Sequence, residues 1–518
     1  MHKLNGASLA ELEKYSSYFH EIKRGLEKES LRIQPNGYLS QANHPAALGS
    51  TLTNSHITTD YSEALPEFIT SASTDRLRPL EELKEIHQFV YRNIGDELLW
   101  VASMPCAMGD EKDIPIAKYG SSNSGQMKEI YRIGLGHRYG RLMQTIAGVH
   151  YNFSLPESFW KSYHKDKNSE LDLQDFISEQ YMGLIRNYLR FSWMIPLFFG
   201  ASPAVCESFL KNSNADLNVL IKGTKYGRYA TSLRMSDLGY QNKVQSRLNI
   251  GYNSLKEYIE GLENAISTPD TLYETIGLKQ NGEYQQLSTN ILQIENEFYS
   301  SIRPKRVSVL GERPSKSLKN YGVEYIEVRA LDLNPFSSIG IEQFQISFLD
   351  VFLLACLFTE SPPINLREAG EYQENFRSVV MNGRHPELCL MIENRCTPIK
   401  SITQELLNNL KPCAEILDKV YSTSEHQQVI EQLMVQTDDF ESTFSGKIID
   451  TIKQRGDGYF PCALDLSKQH KDSLLKEDMA EDILMKYRQE AADSLKRSEE
   501  IEQSDEVSFE EYLARYYE

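Results

Sequence analysis

The chain has 518 residues, 40% of them hydrophobic, with 29 Tyr against 3 Trp and a formal net charge of −18. Length and apolar content allow one large domain or two to three ordinary ones, and exclude a disordered or fibrous protein. The 73 acidic against 55 basic residues argue against a general binder of nucleic acid or anionic membrane, which needs a basic footprint.

Residues 1–18 contain no apolar core of a signal peptide. The most apolar runs, 191–199 and 351–358, are far shorter than a bilayer span, so a cytoplasmic protein is expected. Seven cysteines are scattered without a CxxC pair, and their number is odd. Buried structural thiols are therefore expected, not a disulfide framework or a zinc site.

In chain order, Ser8 to Glu11 reads as a capping box opening a helix to about Phe19. A strand over 25–33 follows, closed by the turn Gln34-Pro35-Asn36-Gly37. Alternation puts Glu27 and Glu29 on one side of it. Two such carboxylates repel unless a cation lies between them; taken alone, the stretch also reads as a solvated edge strand. In residues 58–70, Glu63, Leu65 and Glu67 share a strand face. Pro66 makes that strand an edge or a bulge, and Asp60 needs a bend to converge with Glu67.

A helix is predicted over 79–98, with Pro79 in its first turn. Residues 119–139 are polar and glycine-rich, and the spacing from Gly134 to Gly140 does not match a dinucleotide fingerprint. Residues 148–155 alternate cleanly: Val149, Tyr151, Phe153 and Leu155 on one face, His150, Asn152 and Ser154 on the other. Helices are predicted over 174–191 and, capped by Ser254, over 255–266. A strand over 292–299 groups Gln293, Glu295, Glu297 and Tyr299, and Arg303 to Arg306 reads as a basic loop. A strand over 324–331 puts Tyr325, Glu327, Arg329 and Leu331 together, with Ile326, Val328 and Ala330 behind.

From about residue 339 helical periods dominate, over 339–358, 402–420, 425–434 and 477–502. The expected fold is α+β: a largely antiparallel sheet with flanking helices. Residues 1–340 are expected as a catalytic sheet domain and 341–518 as a helical region packed on the same domain. The acidic tail from Asp472 reads as a solvated outer layer.

Several strands thus carry polar fronts: Glu27 and Glu29, Glu67 with Asp60 before it, His150, Glu295 or Glu297, and Glu327 beside Arg329. On one sheet face such acids need compensation, because an unpaired buried charge costs several kcal/mol. Divalent ions supply it, and carboxylate ligands suit Mg²⁺ or Mn²⁺. Each residue alone also has a structural reading: His150 as a hydrogen-bonded core histidine, Arg329 as an ion-pair partner, Tyr131, Tyr240 and Tyr299 as packing. No Walker A or kinase signature is present, so phosphate handling would fall to metals and Arg or Lys on the sheet.

Seven segments carry a resemblance: RGLEKESLR (24–32), HITTDYSEALPEFIT (56–70), SMPC (103–106), YGRLMQTIAGVHYNFSLP (139–156), SLRMSDLGYQNK (232–243), LQIENEFYSSIRPKR (292–306) and GVEYIEVRALDLNPF (322–336). In them the chain resembles the bacterial glutamate–cysteine ligases of the γ-proteobacterial type. The likeness runs over most of 20–355 and continues more weakly to the end; Tyr61 and Pro66 stand where Phe and Leu are expected.

The resemblance implies a curved antiparallel sheet forming an active-site funnel, as in glutamine synthetase and the guanidino kinases. It implies ATP-dependent joining of the L-glutamate γ-carboxylate to the amine of L-cysteine through a γ-glutamyl phosphate, the first step of glutathione synthesis. By the same resemblance Glu27, Glu29, Asp60, Glu67, His150 and Glu327 hold two or three Mg²⁺, with Mn²⁺ as a possible substitute. Arg329 faces the transferring phosphoryl group and the nucleotide. Arg234 takes a glutamate carboxylate, with Gln144 and Asn152 near it. Tyr61, Tyr131, Tyr240 and Tyr299 wall the cysteine pocket, with Arg132 as carboxylate partner. The expected partners are these small molecules alone, with no nucleic acid or membrane and a monomer needing no protein partner. The rival readings are a ligase of the same fold using another amine, a two-metal hydrolase or nuclease, and a non-catalytic binding protein.

Overall fold

The computed structural model describes residues 9–105, 107–210, 215–239, 248, 250–307 and 312–518. Its centre is a six-stranded sheet. The strands are β1 (Lys23–Glu29), β2 (Ile57–Thr59), β3 (Pro66–Ile69), β4 (Gly148–Ser154), β5 (Ile302–Lys305) and β6 (Tyr325–Asp332). They lie in the order β5-β6-β4-β1-β3-β2, every neighbouring pair antiparallel, and the sheet stays open with β5 and β2 at its edges. The α+β expectation holds.

The helices that matter for the site are α1 (Leu9–Phe19), α2 (Arg78–Asn93), α3 (Asn123–Tyr139), α4 (Leu173–Phe191), α5 (Gln343–Phe358), α6 (Ile399–Tyr421) and α7 (Phe509–Tyr517). The back of the sheet is apolar for the reason its alternation gives: Leu26, Val149, Tyr151, Phe153, Ile326 and Val328 are all fully buried. α5, apolar almost all round, is buried along nearly its whole length, as such a helix must be. Its one charged residue, Asp350, pairs with Arg24 on the back of β1 at 2.9 Å, both side chains fully buried.

Three local expectations are corrected and one, the bend after Asp60, is met. Pro66 opens β3, which is an inner strand; its missing N–H falls at the strand start, where it breaks no ladder bond. Residues 60–65 form the bend that Asp60 required, closed by the Asp60 amide donating to the Leu65 carbonyl at 2.9 Å. Leu331 does not share a face with Glu327 and Arg329. The β6–β4 register shifts between Val328 and Leu331, and this bulge turns Leu331 to the core beside Val149. The helix over 79–98 ends at Asn93, and residues 98–99 are already a short strand.

Residues 292–299 are not a strand but a single 3₁₀ turn at Glu295–Glu297. Residues 123–139 are the helix α3, capped by Ser122 Oγ accepting from the Gly125 amide at 3.2 Å. Its glycines conceal it in the sequence, yet two are required by close approach. A Cβ on Gly134 would lie 2.1 Å from Gln293 Oε1, and one on Gly136 would lie 2.7 Å from the Tyr61 hydroxyl.

The cysteines also depart from expectation. Cys356, Cys413 and Cys462 are buried thiols, but Cys389 and Cys396 form a disulfide across the hairpin 389–398, and Cys206 is disulfide-bonded as well. No helix among the described residues is long and apolar enough to cross a membrane.

Candidate active site

The front of the sheet gathers its polar residues by register. Glu27 stands opposite His150, Glu29 opposite Glu67, Asn152 opposite Glu327, and Glu327 opposite Arg303. His150 lies at the centre: its Nδ1 is 3.3 Å from Glu27 Oε2 and 3.5 Å from Glu327 Oε1, and its Nε2 is 3.8 Å from Glu29 Oε1. Ligand atoms of Glu27, His150 and Glu327 all fall within 4.8 Å of one another. Glu327 Oε2 is buried with no hydrogen-bond donor, and so is Asn152 Oδ1. Two carboxylates and one imidazole around a shared point, with a buried oxygen still open, fit a Mg²⁺ or Mn²⁺ ion.

The electrostatics divide the acids into two groups. Burial works to raise Glu327, but Lys305, Arg329, His150 and Arg303 outweigh it and hold the carboxyl well below the ordinary range. Burial and Glu327 push Glu27 up, yet the His150 hydrogen bond and Lys305 bring it below its ordinary value. Glu29 is raised by burial and by Asp60, and Glu67 is raised strongly by burial and by Glu27, Asp60 and Glu29. On the side near β5 and β6 the cations therefore prevail; on the side near β3 burial and the neighbouring acids outweigh Arg329. Arg329, from β6, donates to Glu327 Oε1 at 3.2 Å while its Nε has no partner.

Beside the acids opens a cavity of about 560 Å³, walled by Glu29, Asp60 and Arg329 on the sheet side and by α3 on the other. Tyr61, Tyr131, Arg132, Gln144 and Tyr299 all line it. The Tyr61 hydroxyl is buried without a partner. Arg132 donates to the Asp60 carbonyl through Nε and stacks 4.4 Å over Tyr119, so its reach into the cavity is restrained. Asn152 Nδ2 donates to Glu27 Oε1 at 2.8 Å, outside that cavity.

Arg234 is not in the cavity wall. It is buried behind Gly148, donates to the Arg329 carbonyl at 3.0 Å, and sits 3.7 Å from Asp332. Asp332 in turn accepts from Ser202, Ser232 and the Ala201 amide, which fixes this group beneath the site. Tyr240 lies outside the described residues.

Other residues depart from the sequence reading or were missed by it. Glu295 turns away to the Ser315 amide and hydroxyl, and Glu297 pairs with Arg138 at 3.2 Å, so neither joins the acid cluster. The stretch Arg303 to Lys305 is the edge strand β5 and not a solvated loop. Its alternation sends Arg303 and Lys305 to the front face, with Lys305 Nζ 3.7 Å from Glu327 Oε2. That alternation, Ile302 and Pro304 in and Arg303 and Lys305 out, was the available signal. Arg138, in the cavity wall, stacks 4.0 Å over Tyr273; no motif marked it.

Comparison with known proteins gives a consistent result. The glutamate–cysteine ligase family model matches residues 8–379. The glutamate–cysteine ligase of Alcanivorax borkumensis is 48% identical over 501 residues, 96% of this chain and 95% of that one. That of Shewanella oneidensis is 46% identical over 497 residues, 95% of each. The crystal structure of glutamate–cysteine ligase from Francisella tularensis in complex with AMP superposes with a TM-score of 0.90 at 36% identity, covering 96% of this chain and 97% of that one. A bifunctional glutathione synthetase from Pasteurella multocida shares the fold, with a TM-score of 0.74 at 24% identity over 93% of this chain and 58% of that one. With an acid-fronted antiparallel sheet, a family match over most of its length and relatives aligned nearly end to end, the chain belongs to the glutamate–cysteine ligase family.

Proposed function

We propose that the chain joins the γ-carboxylate of L-glutamate to the amine of L-cysteine, using ATP. The observation that carries this is the Glu27–His150–Glu327 cluster beside a cavity walled by tyrosines and arginines, in a member of a family named for that ligation. The nucleotide part draws on the relative crystallised with AMP.

A carboxylate is a poor electrophile, so it must first gain a leaving group. The γ-carboxylate oxygen takes the terminal phosphoryl group of ATP, releasing ADP and forming γ-glutamyl phosphate. The cysteine amine then attacks the acyl carbon, the C–O bond to phosphate breaks, phosphate leaves, and the amine loses a proton. Glu27, His150 and Glu327 would hold one divalent ion, and Glu29, Glu67 and Asp60 would contribute to a second or third. Bound Mg²⁺ or Mn²⁺ would supply neutralisation of phosphate charge. Arg329 is the cation nearest the Glu327 carboxylate on the open side, and it neutralises the phosphoryl group as it transfers. Tyr61, Tyr131 and Tyr299 exclude water and shape the acceptor pocket, with Arg132 and Gln144 at its polar margin.

Glutamate labelled with ¹⁸O in the γ-carboxylate tests the route. One labelled oxygen should appear in the released phosphate per turnover; unlabelled phosphate would rule out an acyl phosphate.

A further inference from the structure

The last helix, α7, is not the solvated outer layer its acidic approach suggested. The geometry points to α7 as the clamp that positions α3, and through α3 the Tyr131 and Arg132 wall of the acceptor pocket; this rests on the acceptor reading proposed above.

Phe509 and Leu513, 8% and 7% exposed, pack with Met127 and Ile130 of α3 and with Leu287 in a small core of their own, apart from the main one. Tyr131 packs against the same small core and lines the cavity with its neighbour Arg132. Its side chain therefore links the small core to the pocket. The approach to α7 is anchored as well. The Asn123 amide at the start of α3 donates to Asp505 Oδ2 at 2.6 Å, and its side chain donates to the Val507 carbonyl at 2.9 Å.

At the far end, Tyr517 donates to the Gln293 carbonyl at 2.6 Å. Gln293 is fully buried and donates through Nε2 to the Tyr131 carbonyl at 3.2 Å, where Gly134 leaves room for its side chain. The approach to α7 thus holds the start of α3 at Asn123, and its far end holds α3 through Gln293 at Tyr131, which faces the pocket. Phe509, Leu513, Tyr517 and Gln293 stand outside the cavity wall, so they act by position. A satellite core of five buried residues is also easier to loosen than the main one.

The test uses the full chain with Leu513→Ala, Leu513→Met and Tyr517→Phe, read by hydrogen exchange and by initial rates with L-cysteine, L-glutamate and ATP varied in turn. Leu513→Ala should speed exchange across 123–139 while the strands of the main sheet keep their protection. The KM for L-cysteine should rise about tenfold, with kcat and the KM for ATP changed less than about twofold. Leu513→Met should restore the KM, and Tyr517→Phe, which keeps the ring, should raise it by a smaller factor. Faster exchange with an unchanged KM for cysteine would overturn the clamp, as would an equal rise in all three KM values. If the wild-type chain does not turn over cysteine, the acceptor reading fails by itself. Exchange across α3 in Leu513→Ala then decides the clamp: unchanged exchange overturns it and faster exchange supports it.

Discussion

Glu29 on β1 stands directly opposite Glu67 on β3, two carboxylates facing each other across an antiparallel ladder. Like charges so placed destabilise a sheet unless a cation joins them. Burial and the surrounding acids accordingly raise Glu67 well above the ordinary carboxylate range. Glu67→Gln should therefore stabilise the metal-free protein by about 1 kcal/mol and shrink the further stabilisation that Mg²⁺ gives the wild type. Thermal unfolding in EDTA and in Mg²⁺ reads both. A variant less stable in EDTA, with an undiminished Mg²⁺ increment, would remove Glu67 from the metal site.

Glu27→Gln keeps side-chain volume but removes a charged group that contacts His150 and Asn152. With one metal ligand weakened, kcat should fall by about 10²- to 10³-fold with the circular dichroism spectrum unchanged. Near wild-type turnover at limiting Mg²⁺ would refute the ligand role.

Arg24 and Asp350 tie the back of β1 to α5 with both side chains fully buried. Asp350→Asn leaves the guanidinium charge without its counter-ion and should cost about 3–5 kcal/mol in urea unfolding. Because the pair lies behind the sheet, the KM values of the folded fraction should stay near wild type. A loss under about 1 kcal/mol would mean that Tyr421 and the Ile22 carbonyl, which also accept from Arg24, suffice to hold the group.

His44 gives a pH dependence. Burial, aided by the charge of Arg32, lowers its imidazole to about 4. In the unfolded chain the group titrates near 6.5, so below that pH the unfolded state takes up a proton that the folded state refuses. Its contribution to stability is complete above pH 6.5 and is lost as the pH falls toward about 4. His44→Gln should flatten the stability curve over that window, by up to about 3 kcal/mol at its lower end, and leave its slope between pH 7 and 8 unchanged. Parallel curves for the two proteins below pH 6 would contradict the assignment.

What the sequence made legible follows from periodicity. β1, β4 and β6 bury one face in the core and turn the other to the site, so alternation put Glu27, His150 and Glu327 each on a polar strand front, and the strand pairing brings them together. Non-local partners made the rest illegible. The glycines of α3 look like loop residues until Gln293 and Tyr61 are seen filling the space beside them. Residues 292–299 alternate like a strand, but among the described residues no strand pairs with them, and Glu295 and Glu297 are drawn to Ser315 and Arg138 instead. The bulge that sends Leu331 into the core keeps Arg329 beside Glu327, and no local pattern announces it. The small core under α7 joins residues hundreds of positions apart.

The most direct test of the account is the rate of ADP release from ATP and L-glutamate, with Mg²⁺ present or chelated, and with or without L-cysteine. The account predicts release that requires the metal, rises strongly with cysteine, and yields a γ-glutamyl dipeptide in equal amount. Release that ignores cysteine, or that proceeds undiminished after chelation, would contradict it.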